Sequence, residues 1–119
     1  MILRKAFIEI TVAESAQNPL VRIARSTIHG SGVFAAGNLV KGQSIGFYES
    51  SVVTENGMYV LWVEDSPGSD WTGYEGCNEM RFMNHANQPN AEMDGLDCYA
   101  LTFIPAGAEI TIDYGWNDS

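Results

Sequence analysis

YALTFIPAGAEITIDY, residues 99–114, decides the fold class of this chain. Its two halves, YALTFI and AEITIDY, are rich in aromatic and β-branched residues, and Ile110 and Ile112 share one side of a period-2 pattern. Residues 105–107, Pro-Ala-Gly, lie between the halves and predict a hairpin turn that joins two strands. The stretch therefore predicts β structure near the end of the chain.

Strand-like patterns also occur in three earlier segments, at residues 8–12, 21–23 and 58–63. The first two alternate apolar and polar side chains, as half-buried strands do. The third, MYVLWV, is apolar on both faces, which predicts a strand that is covered on both sides. Glycine-rich turns are predicted between strands, at residues 29–32, 41–43 and 66–76. Only residues 77–83 could form a short helical turn, so the chain is predicted to be mainly β.

The length and charge of the chain restrict what it can be. At 119 residues it is predicted to form a single domain over residues 1–119. Fifteen acidic residues against six Lys and Arg give a net charge of -9, which repels phosphate and argues against direct nucleic-acid binding. A basic partner fits this charge, although the acidity could serve solubility alone.

Membrane insertion and secretion are not predicted. No apolar run approaches the roughly 20 residues that a membrane helix needs. The N-terminus carries Glu9 and lacks a small-residue cleavage site, so no signal peptide is expected. We predict an intracellular protein.

The cysteines and histidines are predicted to be structural. Cys77 and Cys98 are far apart in sequence and form no CxxC pair, so both are expected to be free, buried thiols. His29 and His85 are the two histidines, and neither has a neighbouring cysteine. A zinc site is therefore the less favoured interpretation.

IHGSGVFAA, residues 28–36, contains a glycine turn. Gly30 and Gly32 flank Ser31, and glycines allow positive φ and a close approach of a ligand to the main chain. Taken alone, the motif is better explained by a tight turn between strands than by a binding site.

RFMNHANQPN, residues 81–90, contains an adjacent amide and imidazole. Asn84 and His85 can both donate and accept hydrogen bonds. They could hold a polar cofactor, or they could satisfy buried backbone groups.

GAEITIDYGW, residues 107–116, ends a strand with two aromatic residues. Taken alone, Tyr114 and Trp116 would be ordinary core aromatics. None of the three motifs decides the function by itself.

Their order and spacing resemble those of SET domains. VRIARSTIHGSGVFAAGNLVKGQSIGFY, residues 21–48, is similar to the opening half of that family, with its glycine turn and KG-x-x-I pattern. RFMNHANQPNAEM, residues 81–93, resembles the RFINHSCxPN block, and residues 107–116 resemble the closing GEELTxDYG block. The similarity covers about residues 21–116, and it identifies the chain as similar to minimal SET-domain protein-lysine methyltransferases.

The resemblance implies a fold and an activity. The fold would be β-clip-like, with several small twisted sheets and a C-terminal pseudoknot that brings the last segment near the Asn-His pair. The activity would be transfer of methyl groups from S-adenosylmethionine to the ε-amine of a lysine in a basic protein, such as a histone tail. The alternative is a catalytically idle module that binds a peptide or the cofactor.

The resemblance also assigns roles to individual residues. The catalytic tyrosine would be Tyr114, and the lysine channel would be lined by Tyr48, Ile112 and Trp116. The residues that would bind S-adenosylmethionine are Gly30, Ser31, Gly32, Arg81, Asn84 and His85.

Two departures from the family pattern carry further expectations. Asn87 stands where many relatives have a zinc-binding cysteine, and the later cysteines of that site are absent, so no metal is predicted. The peptide channel would then be closed by Trp116 with the short tail or by a second subunit, which makes a homodimer an expectation. Ile112 lies two residues before the tyrosine, where relatives carry Phe or Tyr, and its lack of a hydroxyl predicts that more than one methyl group can be added.

Overall fold

The computed structural model describes residues 18–64 and 66–114. The strand predicted at residues 8–12 and the channel residue Trp116 lie outside these ranges. The described residues form one 3-10 helix, Glu79–Phe82, and ten strands: β1 Val21–Arg25, β2 Ser31–Ala35, β3 Ser44–Phe47, β4 Ser50–Val53, β5 Val60–Glu64, β6 Trp71–Gly76, β7 Asn84–His85, β8 Ala91–Asp94, β9 Asp97–Ala100 and β10 Glu109–Ile112.

The strands form three small sheets in the orders β1-β2-β10-β7, β3-β9-β8 and β4-β6-β5. This architecture confirms the mainly β prediction, and the 3-10 helix confirms the short helical turn predicted at residues 77–83. The sheets share one core, whose largest fully buried side chains include Leu39, Ile45, Met80, Ile104 and Ile110. Each such side chain contributes roughly 1.5–3 kcal/mol to folding through removal of apolar surface from water.

The hairpin predicted around residues 105–107 is wrong. The turn itself exists, because the Ala108 amide donates to the Pro105 carbonyl and Gly107 has a φ of 88°. However, β9 pairs with β3 and β8, whereas β10 pairs with β2 and β7. The chain therefore passes from one sheet to another at this turn. Alternation of apolar residues indicates which face of a strand is buried, but it does not identify the neighbouring strand.

The predictions for residues 58–76 also need correction. MYVLWV was expected to be covered on both sides, but β5 is an edge strand with five half-buried residues, and Met58 is 78% exposed. Residues 66–76 were expected to be a turn, but residues 71–76 form β6, the central strand of the same sheet. The Trp62 ring packs directly against Gly73 in this strand. Any larger residue would clash, because a Cβ atom at position 73 would lie 2.9 Å from the ring. The glycines of β6 thus allow close packing.

The C-terminal strand lies beside the Asn-His pair, as the family resemblance implied. β10 pairs in parallel with β7, so that Thr111 lies opposite Asn84 and Ile112 lies opposite His85. Asn90 reinforces this pairing, because its amide accepts from the Thr111 N–H at 2.9 Å and donates to the Glu109 carbonyl at 2.8 Å. The residues that follow Ile112 are consequently held next to β7.

Both cysteines are free, but only one is buried. Burial raises the pKa of Cys98 to about 12. Cys77 is exposed, which corrects the prediction of two buried thiols, because the residue follows the last position of β6, where the chain leaves the sheet. In the part of the chain that the structure describes, no helix is long and apolar enough to cross a membrane.

Candidate functional site

A cavity of about 850 Å³ is lined by strands of two sheets, β1-β2-β10-β7 and β4-β6-β5, and by the 3-10 helix. Its volume falls in the range of small-molecule sites, about 300–1,000 Å³. Its walls are formed by three segments and four single residues: residues 28–31, 56–62 and 80–85, together with Tyr48, Trp71, Ile112 and Tyr114. The cavity therefore joins the glycine turn, the Asn-His pair and the C-terminal tyrosine, which are far apart in sequence.

Most of the site residues predicted from sequence meet in this cavity. Those that line it are Gly30, Ser31, Tyr48, Arg81, Asn84, His85, Ile112 and Tyr114. Gly32 does not line it, and Trp116 lies outside the described residues. The structure thus brings the three motifs to one place.

The two glycines of the first motif differ in what they provide. Gly30 has a φ of 45°, which allows the turn that joins β1 to β2, and its carbonyl accepts from the Ser26 amide at 2.7 Å. Gly32 lies within β2, opposite Ala24. A Cβ atom at Gly32 would lie 2.3 Å from the Glu109 carboxylate. Gly32 therefore makes room for Glu109 behind the cavity wall.

Asn84 is held by three acceptors on one side of its amide. Its Nδ2 donates to the carbonyls of His29 and Ser31, both at 3.1 Å, and to the Glu109 carboxylate at 2.8 Å. Because the NH2 group is engaged in this way, the orientation of the amide is fixed, with Oδ1 on the opposite side. Asn84 lines the cavity, so its Oδ1 can accept a hydrogen bond from a ligand there.

Glu109 is a site residue that the sequence analysis did not identify. Its carboxylate accepts from the Ser26 hydroxyl at 2.8 and 2.9 Å as well as from Asn84. It thereby links the end of β1 to β7 and β10. The sequence carries no signal for this role, because a polar residue at position 109 fits the ordinary alternation of β10 with Ile110 and Ile112.

His85 and Tyr114 are joined by a hydrogen bond and a contact between their rings. The backbone amide of Tyr114 donates to His85 Nδ1 at 3.0 Å, and the two ring centroids lie 5.3 Å apart. The Tyr114 hydroxyl donates to the Met83 carbonyl. Burial, and secondarily the negative charge of Glu109, raise the pKa of Tyr114. The hydroxyl is therefore protonated at neutral pH.

Tyr48 is held in another part of the cavity wall. It is 5% exposed, and its hydroxyl donates to the Tyr59 carbonyl at 2.5 Å. Gly76 allows this position, since a Cβ atom there would lie 2.7 Å from the Tyr48 hydroxyl. Burial raises the pKa of Tyr48 to about 12. The ring therefore presents a neutral aromatic surface to the cavity.

The raised pKa of Tyr48 predicts a loss of stability in strong alkali. A tyrosine in the unfolded chain titrates near pH 10, and Tyr48 in the folded chain titrates at about 12. Its contribution is therefore complete below pH 10 and is lost as the pH rises through 12. We expect the free energy of unfolding, measured in urea, to fall between these values and to fall less in Tyr48→Phe. An identical slope in the two proteins would contradict the assignment.

Arg81 forms part of an aromatic wall. Its guanidinium lies 4.2 Å from the centroid of the Phe82 ring and 5.6 Å from that of Tyr59, and its Nη1 donates to the Asn78 carbonyl at 2.8 Å. The sequence analysis did not identify Phe82 or Tyr59, because isolated apolar residues carry no functional signal. This wall provides a cation on an apolar surface, which suits an anionic group of a ligand.

Metal binding finds no support in the arrangement of side chains. Among residues 18–64 and 66–114, no three His, Cys, Asp or Glu side chains are grouped so as to hold an ion. The Asn87 amide oxygen lies 3.0 Å from His85 Nε2 and accepts a hydrogen bond from it when that nitrogen carries the hydrogen. The Asn87 side chain therefore takes part in the hydrogen bonding of the cavity wall.

Comparison with solved structures gives the same fold. The chain is similar to a proposed histone methyltransferase of Plasmodium falciparum (TM-score 0.64, 21% identity, covering 82% of this chain and 95% of that one). It is also similar to the methyltransferase domain of the human histone-lysine N-methyltransferase SETMAR (TM-score 0.67, 19% identity, covering 79% of this chain and 44% of that one). A third similar structure is the Neurospora histone lysine methyltransferase DIM-5 (TM-score 0.64, 22% identity, covering 88% of this chain and 56% of that one). The chain thus spans about half the length of the latter two chains.

Family membership rests on the sequence match. The model of the SET domain matches residues 30–115, which include the glycine turn, the Asn-His pair and Tyr114. The match covers well over half of the chain and coincides with the walls of the cavity. This chain belongs to the SET domain family.

Proposed function

We propose that this protein is a lysine methyltransferase that uses S-adenosylmethionine. The observation that carries the proposal is the meeting of Tyr114, the Asn84–His85 pair and the Gly30–Ser31 turn in one cavity. S-adenosylmethionine would supply a methyl group on a positively charged sulfur. The residues of the chain would bind the cofactor, orient the substrate amine and exclude water.

The polar groups of the cavity fit that cofactor. Asn84 presents an oriented amide oxygen, which suits the α-amino group of an amino acid, and Arg81 provides a cation for its carboxylate. The main chain of Gly30 and Ser31 lies open at the cavity, as a close approach by a ligand requires. His85 would contact the adenosine part, and the role of Gly32 would be to hold Glu109 against Asn84.

The cavity also favours the neutral amine that methyl transfer requires. A free lysine has a pKa of about 10.4, so roughly 1 molecule in 2,500 is neutral at pH 7. Complete neutralisation costs on the order of 4–5 kcal/mol, at about 1.4 kcal/mol per pH unit. Tyr48, Ile112 and Tyr114 form an apolar environment with neutral hydroxyls, which disfavours an ammonium. The Tyr114 oxygen would orient the amine, and no strong base is needed.

The substrate in this proposal is a basic, lysine-rich protein segment, with histone tails as one candidate. The net charge of -9 attracts such a segment. Glu75 in β6 and Glu49 beside β4 are exposed, and Glu64 ends β5, so acidic groups surround the sheet that forms one cavity wall. We further propose an intracellular protein in which a second copy could cover the channel.

The proposal predicts the number of methyl groups. Ile112 is 2% exposed and carries no hydroxyl that could hold a partly methylated amine or a water molecule in a fixed position. We therefore expect dimethylated or trimethylated lysine to accumulate when enzyme and cofactor are in excess, measured by mass spectrometry of the product. Ile112→Tyr is expected to shift the product toward monomethyl-lysine. Exclusive monomethylation by the unaltered protein would contradict this prediction.

Two measurements test the proposed function together. Isothermal titration calorimetry with S-adenosylmethionine tests binding, and a tritiated-methyl assay against a panel of basic proteins tests transfer. The proposal expects both. Binding without transfer to any protein would identify a cofactor-binding module with no catalytic activity, and absence of binding would overturn the assignment of the cavity.

A further inference from the structure

The His85 ring is hydrogen bonded through both of its nitrogens. Nδ1 lies 3.0 Å from the backbone nitrogen of Tyr114, and Nε2 lies 3.0 Å from Asn87 Oδ1. The ring is tilted by 54° against the Tyr114 ring. It therefore forms the link between an exposed loop residue, Asn87, and the tyrosine at the cavity.

These two contacts favour one tautomer of the neutral ring. A backbone amide can only donate, so Nδ1 must carry a lone pair in order to accept from Tyr114. A neutral imidazole has one N–H group, which must then be on Nε2. The Asn87 carbonyl oxygen is the acceptor for that hydrogen. Each hydrogen bond thus selects the tautomer that the other needs.

A proton on Nδ1 would disrupt this arrangement. It would face the Tyr114 N–H, and it would instead be attracted to the Asp113 carboxylate, whose Oδ1 lies 3.7 Å from Nδ1. Asp113 is the charged group that faces Nδ1 from the chain segment after β10, and Tyr114 is the titratable group packed on the ring. Glu109, on β10, bonds instead to Asn84 and Ser26. The Tyr114 N–H therefore favours a lone pair on Nδ1, whereas the Asp113 carboxylate would favour a hydrogen there.

We propose that Asn87 is a positioning residue, which acts through His85 to hold the main chain of Tyr114 in place. The proposal rests on the role given to Tyr114 in the proposed function. The carboxamide oxygen of Asn87 is the acceptor for a hydrogen on Nε2, so it supports the tautomer in which Nδ1 accepts from the Tyr114 N–H.

Nitrogen NMR of the imidazole rings tests the link without any need for activity. We expect His85 in the unaltered protein to show a pyridine-type Nδ1 and a pyrrole-type Nε2. In Asn87→Leu we expect a mixture of tautomers and a shifted Tyr114 amide signal. Gln88→Leu, an exposed neighbour in the same loop, is the matched control and should change neither. The chain has two histidines, so His29→Gln assigns the signals.

Kinetics test the consequence for catalysis. Loss of one hydrogen bond in this link should lower kcat of Asn87→Leu by about 3- to 10-fold, with KM for S-adenosylmethionine changed by less than about twofold. Gln88→Leu should have the kcat of the unaltered protein. A wild-type tautomer and a wild-type kcat in Asn87→Leu would overturn the proposal.

The tautomer of the His85 ring is a readout that a purely structural role of Asn87 would not affect. If the unaltered protein transfers no methyl group, the proposed function fails, while the NMR result still decides the role of Asn87.

Discussion

Replacing Tyr114 with phenylalanine should lower the rate of methyl transfer by about 100-fold or more, while S-adenosylmethionine affinity stays within about twofold. The ring would keep its packing on His85, and the backbone amide would keep its bond to Nδ1. The variant would lack the hydroxyl that donates to the Met83 carbonyl and that offers its oxygen to the substrate amine. A misplaced amine loses the alignment on which in-line displacement depends. Single-turnover kinetics and calorimetry measure the two effects separately.

Tyr99→Phe is the matched control for this experiment. Tyr99 is a half-buried tyrosine in β9 that does not line the cavity, so its variant should have the rate of the unaltered protein. Loss of the Tyr114 hydroxyl leaves the Met83 carbonyl without that donor, at a cost of about 1–3 kcal/mol, so thermal unfolding should be recorded for both variants. An unchanged transfer rate in a folded Tyr114→Phe protein would remove the tyrosine from the chemistry.

The sequence was sufficient to predict the fold class and most of the cavity walls. The fold class followed from alternation, because a strand with one buried face must alternate. The residues of the cavity walls were predicted from three sequence blocks that resemble those of SET domains. Taken alone, neither Tyr114 nor the Asn84–His85 pair indicated a functional site. The structure brings these residues together through the parallel pairing of β10 with β7.

Strand partners could not be predicted, because they depend on contacts between distant parts of the chain. The turn at residues 105–107 was predicted correctly, yet it joins strands of different sheets. The burial of β5 and the existence of β6 were predicted wrongly, because burial and close packing depend on neighbouring parts of the chain. The sequence alone does not show whether a glycine such as Gly73 forms a turn or leaves space for a tryptophan ring.

Glu109 shows the same limit within the site. Its partners, Ser26 and Asn84, are 83 and 25 positions away in the sequence. No local pattern relates a carboxylate in the last strand to a serine near the first turn. Gly32, which was predicted to contact the cofactor, instead faces the Glu109 carboxylate.

Gly32→Ala should therefore weaken both folding and cofactor binding, although Gly32 does not line the cavity. The added methyl group would lie 2.3 Å from Glu109 Oε2 and 3.0 Å from Ser26 Cβ. The carboxylate would have to move, and it would give up its bonds to Asn84 and Ser26. Hydrogen bonds to charged groups contribute about 1.5–3 kcal/mol each, and the flexible Glu109 side chain regains part of this by hydrogen bonding to water, so the free energy of unfolding should fall by about 2–4 kcal/mol.

The same displacement should reduce the affinity for S-adenosylmethionine by about 10-fold or more, at about 1.4 kcal/mol per tenfold. Asn84 would lose the acceptor that lies closest to its amide, at 2.8 Å, and with it the fixed direction of Oδ1. Gly37→Ala is the matched control, because no atom lies within 4 Å of a Cβ atom at that position. Urea unfolding and calorimetry on both variants measure the two effects. If Gly32→Ala binds the cofactor as tightly as Gly37→Ala does, then Glu109 does not orient Asn84, and the amide must be held by the His29 and Ser31 carbonyls alone.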